Sequence, residues 1–422
     1  MNQRIGILCM GEKADDPRVL RQARYLSGRY EVAVFGPGDP APELAESKVR
    51  FVRLSPERPG EDGGGVLSGL RNGALLLGRA NPALYEGWFW QNPLHRRAAE
   101  SLAKNPCDLI LANGWQALAV ASEAAAKTGA RVVADLPGYA PRESESLSFQ
   151  ALQAPAVRYF IKKNAAGLAG SVTVSPGLAE MYEKRFGLSP VIVRNAPEYE
   201  ATPDHAVDGN RIHLIHHGTA HQARALADLI EIIGLCDRRF FLHYMLVGDQ
   251  DNIQALTRLA RKKVPNRVFF HETVKPKDVL SRIWRYDMSL IFQRPAGLND
   301  LYCLPKKFFE SIAAGLAVVA GPGPEMQDLI RRYRLGCVSA GFSVKKVAEM
   351  LNALSAKDIE IMRAGAREAA KKLCAEKEHE ALLALCARAL AGETAKSAAP
   401  EEAPDGEAPA GALEEPAADP EA

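Results

Sequence analysis

The sequence predicts an α/β protein of two Rossmann-like, doubly wound parallel-sheet domains that face each other across a cleft. Three observations lead there. Short, almost continuously apolar runs recur along the chain, each followed by an amphipathic helical stretch, as parallel strands buried on both faces and their crossover helices require. The series is interrupted once, by the polar stretch 197–210 with Pro203, Asp204, Asp208 and Gly209. The length, 422 residues, suits two such domains with extra segments, at roughly 150 residues per domain.

In the first half, strands are expected at Ile5–Cys9, Glu31–Phe35, Phe51–Leu54, Asp108–Ala112, Arg131–Asp135, Val172–Val174 and Val191–Val193. The helix after the first strand opens at Pro17, a favoured first helical position, and buries Leu20, Ala23 and Leu26. In the second half, strands are expected at His213–His217, Leu242–Val247, Arg267–Phe270, Met288–Phe292 and Leu316–Ala320. Between the first two of these, Leu226, Leu229, Ile230 and Ile233 repeat at helical spacing. The domains are therefore read as 1–196 and 211–355, joined by the 197–210 linker. A helical segment follows over 356–390, with Ser355 at its N-cap, and either closes across both domains or is an ordinary terminal helix.

From Ala391 to Ala422 nine acidic residues face a single Lys396, a net of −8, so the rest of the chain carries +10 within an overall +2. This tail is mostly Ala, Pro, Glu and Gly, with Leu413 its one large apolar residue, and such a composition cannot bury enough surface to fold. It is read as a disordered appendage. The basic body suits anionic ligands or an anionic membrane surface.

The 47% hydrophobic and 25% charged fractions exclude global disorder, collagen and coiled coil, and no run approaches the ~18 apolar residues of a membrane span. The first 34 residues mix apolar runs with Asp15, Asp16 and several arginines, unlike a signal peptide. Seven scattered cysteines without a CxxC pair read as reduced thiols, and hence as a cytoplasmic protein. Leu84-Tyr85-Glu86-Gly87-Trp88-Phe89-Trp90 lies between Arg71, Arg79 and His95-Arg96-Arg97. Aromatics beside bases suit a membrane interface with anionic headgroups, and equally a buried aromatic cluster with solvated flanks.

Four blocks then stand out in order: Asp16-Pro17-Arg18-Val19-Leu20-Arg21-Gln22-Ala23 with Tyr30-Glu31-Val32; Val174-Ser175-Pro176-Gly177-Leu178; Val193-Arg194-Asn195-Ala196-Pro197; and Leu304-Pro305-Lys306-Lys307-Phe308-Phe309-Glu310-Ser311-Ile312-Ala313-Ala314-Gly315. Together they resemble the two-domain (GT-B) glycosyltransferases, most closely family 4, the retaining nucleotide-sugar enzymes, and the likeness runs from Arg4 to about Leu390. It implies transfer of a sugar from a nucleotide-sugar donor to a lipid-linked or polysaccharide acceptor in cell-envelope glycan synthesis, at the inner face of the membrane. Neither a cofactor nor a nucleic-acid partner is implied.

The chemistry of the blocks agrees with that resemblance. A diphosphate needs positive charge and N–H donors, and a helix opening at Pro305 offers both at its N-terminus. The resemblance places Lys307 on the diphosphate and Glu310 on the ribose hydroxyls; as bare sequence the two also suit a surface ion pair. Gly218 permits close backbone approach after the first strand of the second domain, Thr219 follows it, and Arg224 can offer a fork of donors to phosphate. Gly248, Asn299 and Asp300 complete the expected donor site, with Arg224, Lys307 and Glu310 as the catalytic group.

His216 and His217, as strand neighbours, are expected on opposite faces, against a shared metal. Asp249 and Asp251 read as helix caps, so no metal is expected. The chain departs from the family in three places. The first acid of Glu-x7-Glu is Tyr302, Asp135-Leu136-Pro137-Gly138 lacks the usual His, and Asn113-Gly114-Trp115 lacks the usual acid. Asn113 and Asp135, at strand ends, are candidates for the acceptor side or for buried caps. These departures leave two alternatives: a non-catalytic binding scaffold, or a sugar-nucleotide epimerase on the same fold.

Overall fold

The computed structural model describes residues 3–11, 16–45, 47–54, 68–220 and 226–393. Two all-parallel sheets organise it. The first contains β1 (Arg4–Cys9), β2 (Glu31–Gly36), β3 (Arg50–Arg53), β4 (Leu109–Asn113), β5 (Arg131–Asp135), β6 (Gly170–Thr173) and β7 (Val191–Ile192), in the order β3-β2-β1-β4-β5-β6-β7. The second contains β8 (Ile212–Thr219), β9 (Phe240–Val247), β10 (Val268–His271), β11 (Met288–Ile291), β12 (Ala317–Ala320) and β13 (Gly336–Val338), in the order β10-β9-β8-β11-β12-β13. In each sheet the chain starts in the middle, winds to one edge, and returns to wind to the other. That reversal opens a crevice beyond the strand C-termini, beside β1 in one sheet and β8 in the other.

The cores follow from the sequence pattern. The first three residues of β4 and all four of β11 and β12 are apolar or small and buried, as strands covered by helices on both faces must be. The sequence reading misses β13, a three-residue edge strand. Its Gly336 packs so tightly on β12 that a Cβ there would sit 2.0 Å from the Val318 carbonyl oxygen, which explains a glycine where strand propensity would ask for a branched residue.

The expected single helix over 356–390 is two. Ala356–Ala370 starts with a capping box between Ser355 and Asp358 and packs Ile359, Ala366 and Ala369 on the second domain. The chain then turns, and Ala375–Ala391 crosses back to bury Leu382, Leu385, Cys386 and Ala389 against Ile5, Ile7 and Val172 of the first. One straight helix could not serve both surfaces. The turn is tied to the linker by the Ala375 N–H, which donates to the Pro197 carbonyl at 2.8 Å.

Three rings of the aromatic segment 84–90 belong to the core. Tyr85, Trp88 and Phe89 are buried, and His95 stacks on Phe89 at 3.9 Å while its Nδ1 meets the Phe89 carbonyl oxygen at 2.9 Å. These rings are enclosed by the helices around them, so they give no membrane-facing surface. Among the described residues no helix is long and apolar enough to cross a membrane.

The last helix ends at Ala391, with Gly392 as its left-handed cap. The remainder of the tail read above as a disordered appendage, 394–422, lies outside the described residues, and its composition predicts that removing it leaves the thermal midpoint unchanged. Loss of even 1 kcal/mol would move it by ~2–4 °C, within reach of scanning calorimetry.

Candidate functional site

At the C-terminal ends of β8 and β11 the second domain encloses a cavity of about 680 Å3, and every residue lining it belongs to that domain. One wall is the helix Lys306–Ala313, whose N-cap is Pro305, one position earlier in the helix than the sequence suggests. The other is the end of β8, where His216, His217, Gly218 and Thr219 reach the lining. Gly218 and Gly248 both have positive φ, 127° and 111°, and let the chain turn sharply off β8 and β9. Gly248 sits against Thr219 without lining the cavity.

The polar side chains in this cavity form two linked sets. Glu310 is buried, and its Oε2 accepts from His217 Nε2 at 3.0 Å while Oε1 accepts from Lys306 Nζ at 2.9 Å. Burial alone would raise its pKa. The hydrogen bond from His217 and the charge of Lys306 outweigh it and hold the carboxyl at about 2. Since an ionised carboxylate only accepts, His217 carries its proton on Nε2. Its Nδ1 is buried and has no hydrogen-bond partner. In the second set, His216 Nδ1 lies 2.7 Å from the Leu290 carbonyl and so must donate, leaving Nε2 to accept from Lys307 Nζ at 3.1 Å.

Neighbouring histidines thus reach the same helix, one holding Lys307 and the other Glu310. Strand neighbours can both reach that helix because both lie at the end of β8, where they line the cavity. Sequence reasoning missed Lys306, which takes the ion-pair position on Glu310. Its spacing of i,i+4 was the available signal. Among the described residues no group of three or more His, Cys, Asp or Glu is placed to hold a metal ion.

Of the other expected residues, only some reach the cavity. Asp300 lines the cavity, and its Oδ2 accepts from the Ala296 N–H at 2.9 Å. Asn299 bridges the domains: its Oδ1 accepts from the Tyr139 N–H at 2.7 Å, and its Nδ2 donates to the carbonyls of Tyr139 at 3.2 Å and Arg142 at 2.8 Å. Glu325 accepts from the Gly177 N–H at 2.7 Å, a second tie across the cleft. Asp249 caps the helix Gln250–Lys263 as expected, accepting from the Asp251 and Asn252 N–H groups. Arg224 lies outside the described residues.

On the first domain, Asp135 is fully buried and both oxygens are taken. Arg18 grips them through Nε at 2.6 Å and a terminal nitrogen at 2.9 Å, and Gln22 donates to the same carboxylate. The remaining Arg18 nitrogen donates to the Val193 carbonyl at 2.9 Å. The first and third sequence blocks therefore meet at Asp135, which locks the helix Pro17–Leu26 to β5 and to the chain after β7. Asn113 is half-buried, its Nδ2 without a partner.

Comparison with known proteins places this architecture. Residues 16–197 match the family profile of a glycosyl transferase 4-like domain. A sequence comparison with curated proteins returns no match. Among solved structures, the chain is similar to Anabaena Alr3699/HepE in complex with UDP and glucose, with a TM-score of 0.65 and 14% identity over 91% of this chain and 99% of that one. It is similar to a glycosyltransferase from Rickettsia africae, at 0.65 and 12% over 92% and 99%. A sucrose-phosphate synthase from Thermosynechococcus elongatus is matched at 0.65 and 13% over 93% and 100%. The chain has the GT-B architecture of two facing Rossmann-like domains, and its residues 16–197 are similar to a glycosyl transferase 4-like domain.

Two outcomes follow from the site. Asp135→Ala strands a buried guanidinium and should cost about 3–5 kcal/mol in urea unfolding; a loss under 1 kcal/mol would remove this pair from the framework. Glu310 has a folded pKa of about 2 against an ordinary 4.5, so its contribution is complete above pH 4.5 and is lost as pH falls towards 2. At 1.36 kcal/mol per pKa step that contribution is of order 3 kcal/mol. The stability gap between wild type and Glu310→Gln should therefore shrink between pH 6 and pH 3, and a constant gap would contradict it.

Proposed function

We propose that this chain is a glycosyltransferase that takes a nucleotide-sugar donor into the cavity of its second domain. The observation that carries this reading is the pairing of Lys307 and Glu310 on the opening turns of one helix at a strand–loop–helix crevice. One supplies positive charge beside N–H groups of the helix terminus, and the other an ionised, buried acceptor. Lys307 meets the diphosphate, and Glu310 takes the ribose hydroxyls after Lys306 has moved off its Oε1. The HepE structures hold UDP, UDP-glucose, or UDP with glucose, which supports a donor of this class.

In the transfer, the bond from the anomeric carbon to the diphosphate breaks as a bond to an acceptor hydroxyl forms, and the hydroxyl proton leaves with the nucleoside diphosphate. Lys307, the helix N-terminus and Arg224 offset the charge that builds on the departing diphosphate, without a metal. The family resemblance supports retention, with the new bond on the face the diphosphate leaves. It also supports a lipid-linked or polysaccharide acceptor in cell-envelope glycan synthesis, with the protein at the inner membrane face. WaaB, a structural neighbour described as a lipopolysaccharide outer core galactosyltransferase, supports the same reading.

Binding titrations separate the roles. Lys307→Ala should weaken a nucleoside diphosphate more than the bare nucleoside, because only a phosphate contact is lost. Glu310→Gln should weaken both by roughly one to two powers of ten, since charge-assisted hydrogen bonds contribute ~1.5–3 kcal/mol. Variants that stay folded and bind both ligands like wild type would refute the donor site. Release of nucleoside diphosphate from a donor panel in the presence of cell-envelope extract then separates an enzyme from a binding scaffold.

A further inference from the structure

Three histidines on neighbouring strands of the second sheet are joined ring to ring. Nδ1 of His213 on β8 lies 2.9 Å from Nε2 of His243 on β9, and Nδ1 of His243 lies 2.8 Å from Nε2 of His271 on β10. The register places all three on one face of the sheet, in an oblique line: His213 stands opposite Phe241, His243 opposite Ile215 and Phe269, and His271 opposite Met245. The ladder therefore climbs towards the strand ends, and its last ring sits beside Met245, which lines the cavity. All three rings are half-buried. Phe241 stacks on His213 at 5.4 Å, Phe269 stacks on His243 at 5.1 Å, and Tyr286 packs on His243 at 4.8 Å.

The links limit how many protons the rings can hold. A hydrogen bond between two imidazoles needs one hydrogen and one lone pair, so the four nitrogens inside the ladder share two hydrogens. The outer nitrogens, His213 Nε2 and His271 Nδ1, can add two more. Four hydrogens on three rings is one above neutrality, so the ladder carries one positive charge with both links intact. A second sets two N–H groups against each other and breaks a link.

The surroundings do little to favour added charge. The Asp287 carboxylate is already met: it accepts from the His213 backbone N–H at 2.7 Å and faces His205 at 3.1 Å and Arg363 at 3.7 Å. The other charged groups acting on the rings are Asp208 and Arg211 at His213 and Arg282 at His271, while Arg285 lies over the Trp284 ring at 5.6 Å. Burial lowers the pKa of all three histidines, and takes His243, flanked by the other two, to about 3.

We propose that His213, His243 and His271 form an acid-sensitive latch across β8, β9 and β10, which admits one proton and is opened by a second, loosening the strand ends that line the cavity. The latch does not rest on the glycosyl-transfer reading. Once these strands open, each histidine takes a proton near pH 6.5, three in all, so the closed ladder excludes two. Its contribution is complete well above pH 6.5 and is lost as pH falls below it, by up to tenfold in the opening constant per excluded proton and pH unit.

Hydrogen exchange on the full chain at pH 7 and pH 5, corrected for intrinsic exchange rates and read by mass spectrometry, follows the opening of these strands. In wild type the protection of β8, β9 and β10 should fall, while that of β1 and β4 in the first sheet holds. In His271→Leu one link and one excluded proton remain, and the fall should be about tenfold smaller. In His243→Leu no link remains, and the fall should shrink by a similar factor again. Should His243→Leu not fold at pH 7, His213→Leu removes the other end ring and should match His271→Leu. A fall of equal size in wild type and the variants, an equal fall in β1 and β4, or wild-type protection unchanged at pH 5 overturns the proposal.

Discussion

A buried carboxylate at the mouth of a parallel sheet is expensive unless its oxygens are met, and the second domain is arranged around meeting those of Glu310. His217 comes from the end of β8 and Lys306 from the turn that opens the helix, so the hydrogen bonds cross from sheet to helix at the cavity rim. Those contacts fix where the helix begins. Its start in turn places Lys307 against His216, whose orientation is set by the Leu290 carbonyl of β11. One ionised group thus constrains three elements and leaves two cationic side chains beside the cavity. Every polar partner sits on regular structure, which holds the arrangement in place.

The first domain uses the same principle to a different end. Asp135 at the tip of β5 is also a buried carboxylate, but Arg18 and Gln22 occupy it completely and it is shut away from solvent. Ion pairs of this kind contribute little net stability compared with apolar packing, and removing one partner is costly. Their effect is geometric: the helix Pro17–Leu26, β5 and the Val193 carbonyl are held in one register. Two buried acids, one on a helix and one at a strand end, therefore have opposite fates, one lining a cavity and one closing a joint.

How much of this was legible in the sequence depends on range. The strands were readable because parallel strands are continuously apolar, and their edges shifted by one or two residues where a terminal polar residue joins the ladder, as Arg4 and Thr219 do. Lys307 and Glu310 could be found because a helix start and a fixed spacing announce them. The partners could not, since His216 and His217 meet that helix from about ninety residues away. Asn299 misled for the same reason: its place in the chain beside the donor segment says nothing of the backbone of Tyr139 and Arg142 that it holds across the cleft. The break between Ala370 and Ala375 was hidden because Ala and Lys favour helix on both sides, and only the need to pack on two domains requires a turn.

The ties across the cleft bear on how such a site could work. Asn299 and Glu325 join the domains through side chains of the second and backbone groups of the first, Glu145 of the first accepts from the Leu298 N–H of the second, and the helix Ala375–Ala391 packs its apolar face on the first domain. Glu325 is buried enough that its pKa is raised despite the Gly177 N–H and Ser175 that bond it. Hydrogen bonds of this kind contribute only about 0.5–1.5 kcal/mol each, and water can replace them when the cleft widens. The rear helix, by contrast, buries Leu382, Leu385 and Cys386 almost completely, and its release would expose them. The joint is therefore strong at the back and exchangeable at the front. This is the asymmetry a two-domain cleft needs if its contents are to enter and leave while the two sheets keep their relation.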